Sequence, residues 1–229
     1  MAHGLTPTPD KSATAGDLLR RATLPPGWEW LDHLGYITPV ANLTSILRLG
    51  ILSHNRARAL PHHTYSDQQI QQRRDSRKVD GRSLHDFTNL FINPRNAMLY
   101  RVIDERRVDD VAVVLVDAPA VFALPGVVVT ERNAAAQQRL VTHRGSAGLA
   151  NLDPAAVTEE SWFVDGEADP DLKQLMMAEV LVPDLVPPQL ISEVVVAHPN
   201  IAHRVRTGVG PVPVTSNPYL FFRSASGDC

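Results

Sequence analysis

Six aliphatic residues in a row, VAVVLV at 111–116, predict a strand buried on both faces, because a half-exposed strand would alternate. GVVVT (126–130) and ISEVVVAH (191–198) read the same way. LGYIT (34–38) and residues 89–92 are shorter strands, and PYLFF (218–222) is a weak C-terminal one. Residues 177–182, MAEVLV, also have strand composition, yet Glu179 stands in the middle of them. An ionised carboxylate inside such a strand is costly unless it is paired or borders a cavity. Glu179 therefore needs an explanation.

Helical periodicity is confined to short pieces. ANLTSILRLG (41–50) puts Leu43, Ile46 and Leu47 on one face and ends at Gly50. AGDLLRRAT (15–23) predicts a helix ended by Pro25 and Pro26. SDQQ (66–69) has the form of a capping box, opening a helix that carries Arg73, Arg74 and Arg77. A further helix starts after Pro94, and ERNAAAQQRL (131–140) reads as another. From 143 to 171 periodicity fails and Gly, Ser, Asp and Pro dominate. That is too long for a routine connection, so it is either disordered or a functional loop. Residues 1–13 read as a flexible tail and 14–229 as one domain, without repeats. The mixture of early short helices and irregularly spaced strands is of the α+β class.

Composition narrows the function. The chain has 229 residues, a net charge of −3 and 44% hydrophobic residues. No apolar run approaches a membrane span, and the only cysteine is Cys229, so no internal disulfide can form. The expectation is a cytoplasmic protein with no membrane partner. In RRDSRKVDGR (73–82) five basic residues face two acidic ones, a local cationic face on an acidic chain. There is no Gly-rich phosphate loop, no nucleophile elbow and no cysteine cluster, and His62-His63 reads as loop, so no metal is expected.

The segments YITPVANLTSILRLGILSHN, IQQRRDSRKV, LHDFTNLFINPRNAMLY, LPGVVVTERNAAA and AEVLVPDLVP follow one another between residues 36 and 187. In that order they resemble the DarT family of DNA ADP-ribosyltransferase toxins. The resemblance implies an ADP-ribosyltransferase-like fold, with two small packed β-sheets and short helices around an NAD cleft. NAD would be the substrate, and its ADP-ribose would pass to a base of single-stranded DNA. The wording of the later segments is closer to the guanine-modifying than to the thymine-modifying branch. An antitoxin that removes ADP-ribose or binds the toxin is the implied protein partner.

Carried over residue by residue, the family's catalytic strand glutamate falls on Glu179 and its helix arginine on Arg74. Glu179 would face an open cleft without an ionic partner and stabilise the cationic ribosyl group as nicotinamide leaves. Arg74 would act on the NAD phosphates electrostatically, since an arginine is a poor proton acceptor. Tyr36, Ile37 and Thr38 would hold nicotinamide, and Asn42, Ser45 and Leu52 would line the NAD pocket. His85, Asp86, Arg95 and Met177 would contact DNA, with Phe87, Trp162 and Phe163 available to stack on bases. Two positions depart from the family pattern. Tyr36 stands where many relatives have His, and Met177 stands where many have Gln or Glu to recognise the acceptor. Two alternatives share parts of this layout: an enzyme of the same fold acting on RNA or protein, including an RNA 2′-phosphotransferase, and an NAD-binding module without catalysis.

Overall fold

The computed structural model describes residues 20–65, 68–105, 110–208 and 210–223. The expected tail, most of the helix expected over 15–23, the capping box at Ser66 and Cys229 lie outside the described residues. In chain order the first elements are β1 (His33–Pro39), α1 (Leu43–Leu49), β2 (Ile51–Leu52), α2 (His54–Ala57), α3 (Gln68–Asp75), β3 (Lys78–Val79) and β4 (Arg82–Ser83). They are followed by β5 (Phe87–Phe91), α4 (Ala97–Glu105), β6 (Val111–Asp117), α5 (Ala118–Phe122), β7 (Val128–Thr130) and β8 (Thr142–Arg144). The remainder comprises α6 (Pro154–Thr158), β9 (Phe163–Val164), β10 (Glu167–Ala168), α7 (Pro170–Leu175), β11 (Glu179–Pro183), β12 (Leu185–Val186), β13 (Ile191–Val196), α8 (Pro199–Arg206) and β14 (Val214–Ser216).

Eight strands form one sheet in the order β14-β13-β6-β1-β5-β11-β7-β8. It is built as two halves. β1 pairs antiparallel with β6 along its whole length, from His33↔Asp117 to Pro39↔Val111. On the other side β1 meets β5 at one residue pair, Gly35↔Phe91. β5 then pairs with β11 from Phe87↔Pro183 to Phe91↔Glu179. In place of two small packed sheets, the halves form one large sheet, joined at the single pair Gly35↔Phe91. A side chain at Gly35 would put its Cβ 2.6 Å from Pro94 Cβ, so the glycine permits the close approach that holds the halves together.

VAVVLV is the buried strand its composition predicts, β6, with Val111, Val113 and Val114 fully covered. α1 buries Leu43 and Ile46 and stops at Gly50, whose φ of 87° favours glycine. Other expectations change. Helix α4 begins three residues after Pro94, at Ala97, because Asn96 Oδ1 accepts from the amides of Met98 (2.9 Å) and Leu99 (3.2 Å) and caps it. PYLFF is a 3₁₀ turn over Tyr219–Phe221, and the C-terminal strand is β14. The 143–171 stretch is ordered: its aperiodicity reflects a succession of short elements, anchored by buried Leu149, Val157 and Trp162. Residues 131–140 form turns instead of a helix. Their backbone groups are bonded to side chains of the site described next, which competes with an i→i+4 ladder.

Candidate active site

Helix α3 has one apolar residue, Ile70, so no apolar stripe explains where it packs. What fixes it is charge. Arg74, near its C-terminus, is buried and meets Glu179, the first residue of β11, which is fully buried. Arg74 Nη1 donates to Glu179 Oε1 at 3.3 Å and Oε2 at 3.2 Å, and Nη2 donates to Oε2 at 3.2 Å. The Ala134 amide donates to Oε1 at 3.0 Å. Glu179 is anchored by its own backbone too, its amide donating to Thr130 Oγ1 at 2.9 Å. The cleft glutamate expected to lack an ionic partner therefore has one, and it opens the strand instead of interrupting it.

Arg77, expected on a solvated face, is half-buried. Its guanidinium donates to the carbonyls of Ala134 (2.6 Å), Ala136 and Gln138 (3.0 Å). This is the physical reason 131–140 is not helical: one arginine takes three of its carbonyls and Glu179 takes one of its amides. Burial, with Arg73 and Arg74 nearby, lowers the Arg77 pKa.

Two cavities meet at Arg74. The first occupies the splay between β1 and β5, and Tyr36, Ile37, Thr38, Asn42, Ser45, Leu52 and Arg74 all line it. Every residue expected to bind NAD is thus gathered in one place. The Asn42 side chain is engaged with protein: Nδ2 donates to the His63 carbonyl (2.8 Å) and Oδ1 accepts from the His63 amide (2.9 Å). It pins the segment around His63 over the cavity. Ser45 Oγ donates to the Asn42 carbonyl at 2.8 Å. Burial raises the Tyr36 pKa, so its phenol stays neutral at physiological pH.

The second cavity, about 740 Å³, is lined by Arg74, Glu179, Met177, Asn133, Arg95 and a group of aromatic rings. Arg95 lies against the rings of Tyr219 and Phe222, 4.4 and 4.2 Å from their centroids, and donates to the carbonyls of Tyr219 (3.0 Å) and Glu160. Trp162 is buried edge-on against Tyr100 and Phe222, an anchor for its loop, whereas Phe163 beside it is exposed.

The residues expected at DNA separate. Arg95 and Met177 line the second cavity. His85 lies in the first, its ring 4.3 Å from that of His54, with Nε2 3.0 Å from Gln71 Oε1. Burial first, against the opposing pull of Asp75, lowers the His85 pKa. His54 is lowered by burial and then by His85. Asp86 lines neither cavity; its Oδ1 accepts from Asn55 Nδ2 at 2.7 Å. Phe87 is buried beside Val79, Leu84 and Leu181, which excludes base stacking on it. His54 and Asn133 carried no sequence signal, since one sits in a four-residue helix and the other in a segment read as helix. Among the described residues no cluster of three metal-ligating side chains occurs, and no helix is long and apolar enough to cross a membrane.

A family model described as "ssDNA thymidine ADP-ribosyltransferase, DarT" matches residues 36–222. The chain belongs to the DarT family. It is 30% identical over 197 residues to a DNA ADP-ribosyl transferase–DNA ADP-ribosyl glycohydrolase fusion protein of Thermosipho africanus, covering 83% of this chain and 49% of that protein. It therefore spans about half the length of that relative. A DNA ADP-ribosyl transferase of Thermus sp. is 28% identical, covering 82% of this chain and 92% of the relative. The Thermosipho structure, solved with ADP-ribose, superposes with a TM-score of 0.73 at 29% identity, over 84% of this chain and 51% of that one. The Thermus structure, solved with ADP-ribosylated single-stranded DNA, gives 0.74 at 26% identity, over 88% and 99%. The mixed fold, with its large sheet, small two-stranded sheets and short helices, matches these DarT structures.

Proposed function

We propose that this protein transfers ADP-ribose from NAD to a base of single-stranded DNA. The observation that carries the reading is the Arg74–Glu179 pair at the junction of two cavities, one gathering the residues expected for NAD and the other opening toward Arg95 and Phe163. NAD in the first cavity would present its nicotinamide ribose to the junction. The N-glycosidic bond breaks toward nicotinamide, leaving positive charge on the ribosyl carbon. Glu179 stabilises that charge through the space and by accepting a hydrogen bond from the ribose 2′-hydroxyl. A base nitrogen arriving through the second cavity bonds to the same carbon, and its proton is lost to solvent. Arg74 supplies positive charge for the pyrophosphate and holds the carboxylate in place. Arg95 and Phe163 supply charge and an exposed ring for the strand.

The base proposed is thymine, following the description of the matched family as acting on thymidine, in place of the guanine suggested by the wording of the later segments. The partner proposed is a protein with the glycohydrolase activity named in the Thermosipho fusion, carried on another chain or on further residues. Such work belongs where DNA and NAD meet, in the cytoplasm. Purified protein, NAD and matched DNA and RNA oligonucleotides test the reading. Nicotinamide release with one ADP-ribose on DNA and none on RNA is expected. Transfer to RNA alone, or NAD cleavage without transfer, would replace it with one of the two alternatives.

A further inference from the structure

We infer that Asn133 selects the acceptor base, favouring the keto bases thymine and guanine over the amino bases cytosine and adenine. This rests on the DNA-transfer reading above. Met177 occupies the position from which Gln or Glu would recognise an acceptor, and its thioether offers only apolar contact and a weak acceptor. The structure sets a different polar group beside it. Asn133 lines the same cavity as Glu179, Arg74 and Met177.

The orientation of its amide follows from its neighbours. Asn133 Oδ1 accepts from the Ala135 amide at 2.7 Å, which assigns oxygen and nitrogen without ambiguity. Nδ2 is then turned to Met177, whose Sδ at 3.9 Å is a weak hydrogen-bond partner. A thioether leaves most of that donor's capacity unused. Both flanks are fixed. The next residue, Ala134, donates its amide to Glu179, and the preceding one, Arg132, is ion-paired to Asp171. Asn133 thus offers a rigid N–H donor, its oxygen engaged by the Ala135 amide, one residue from the group that contacts the reacting carboxylate.

A donor distinguishes bases by their exocyclic groups. Thymine O4 and guanine O6 accept, whereas cytosine N4 and adenine N6 donate. A keto base satisfies the Asn133 N–H, and an amino base sets donor against donor. The same residue would serve a thymine or a guanine enzyme, so the inference does not depend on which of the two is modified.

A purely structural Asn133 needs only its oxygen, and that difference gives the test. The full chain is given NAD and a pool of single-stranded DNA with random flanks, and the modified base is identified by fragmentation mass spectrometry. Asn133→Ser keeps an oxygen for Ala135, and its shorter hydroxyl no longer places a donor where Nδ2 stood. Asn133→Asp keeps the oxygen and replaces the donor with an acceptor. The readout is the ratio of keto to amino products within one competition, which is independent of turnover. We expect the unmodified protein to favour keto bases, Asn133→Ser to lose about tenfold of that ratio, and Asn133→Asp to shift toward cytosine and adenine. An unchanged ratio in both variants overturns the inference and leaves the transfer reading intact. Variants that fail to fold, or fold and make no product, also overturn it, because Asn133 then serves the fold or turnover instead of the choice of base. If the unmodified protein labels no DNA at all, the transfer reading itself fails.

Discussion

The charge on Glu179 is explained by partners that sequence could not display. Its anomaly was legible, because a carboxylate in an aliphatic stretch needs a partner or a cavity, and the role proposed for it came from the family resemblance. Its pairing was not, since Arg74 lies 105 positions earlier. The pairing reverses the sign of one stability expectation. An unpaired cleft carboxylate could be removed without loss, but removing this one strands a buried guanidinium. Glu179→Ala should lower stability by about 3 kcal/mol, the low end for such a change because Arg74 also borders the cavities. Arg74→Ala in the same chain should recover part of the loss. Denaturant melts of both variants check this, and a single variant as stable as the unmodified protein would show that the pair contributes nothing.

At the level of elements, sequence separated strands from helices where one interaction dominates. VAVVLV needed only burial, and α1 needed only its apolar face and Gly50. It failed at 131–140, where three alanines favour a helix but Arg77 and Glu179 take the backbone groups. It also failed across 143–171, where each element is too short to show a period. Arg77→Ala should therefore act on the loop, not as the loss of one surface charge. Three carbonyls lose their donor, with a cost of about 2 kcal/mol and faster amide exchange around Ala134. Exchange unchanged from the native rate would mean that the loop holds its shape without Arg77. The adjacent, tilted imidazoles of His54, on α2, and His85 make a second prediction. Both titrate below the ordinary 6.5, so below that pH the unfolded chain binds protons that the folded one refuses. Their contribution is intact above 6.5 and is lost as pH falls from 6.5 through the folded values. Melting temperature should drop between pH 7.5 and 5.5, and less so in His54→Gln/His85→Gln. An equal drop in that variant would assign the effect to other groups.

Across the whole molecule, the first cavity exists because β1 and β5 join at Gly35↔Phe91 and then part. The residues that line it come from both sides of the split, so folding the two halves together and building the pocket are one event. Gly35→Ala forces a Cβ against Pro94 and should cost about 1–3 kcal/mol, with weaker NAD binding in proportion to the displaced strand. Calorimetric melting with and without NAD measures both, and a variant indistinguishable from the native protein would mean that Pro94 yields at no cost. A buried pair that performs transfer to DNA must lose that transfer with the glutamate's charge. Intact-mass measurement of a single-stranded DNA oligonucleotide after incubation with NAD and either the native protein or Glu179→Gln decides this. Gln retains an oxygen for the Ala134 amide but no charge. One ADP-ribose added by the native protein is expected, with at least about 100-fold slower addition by a folded Glu179→Gln; addition at the native rate would show that the carboxylate does not serve the transfer.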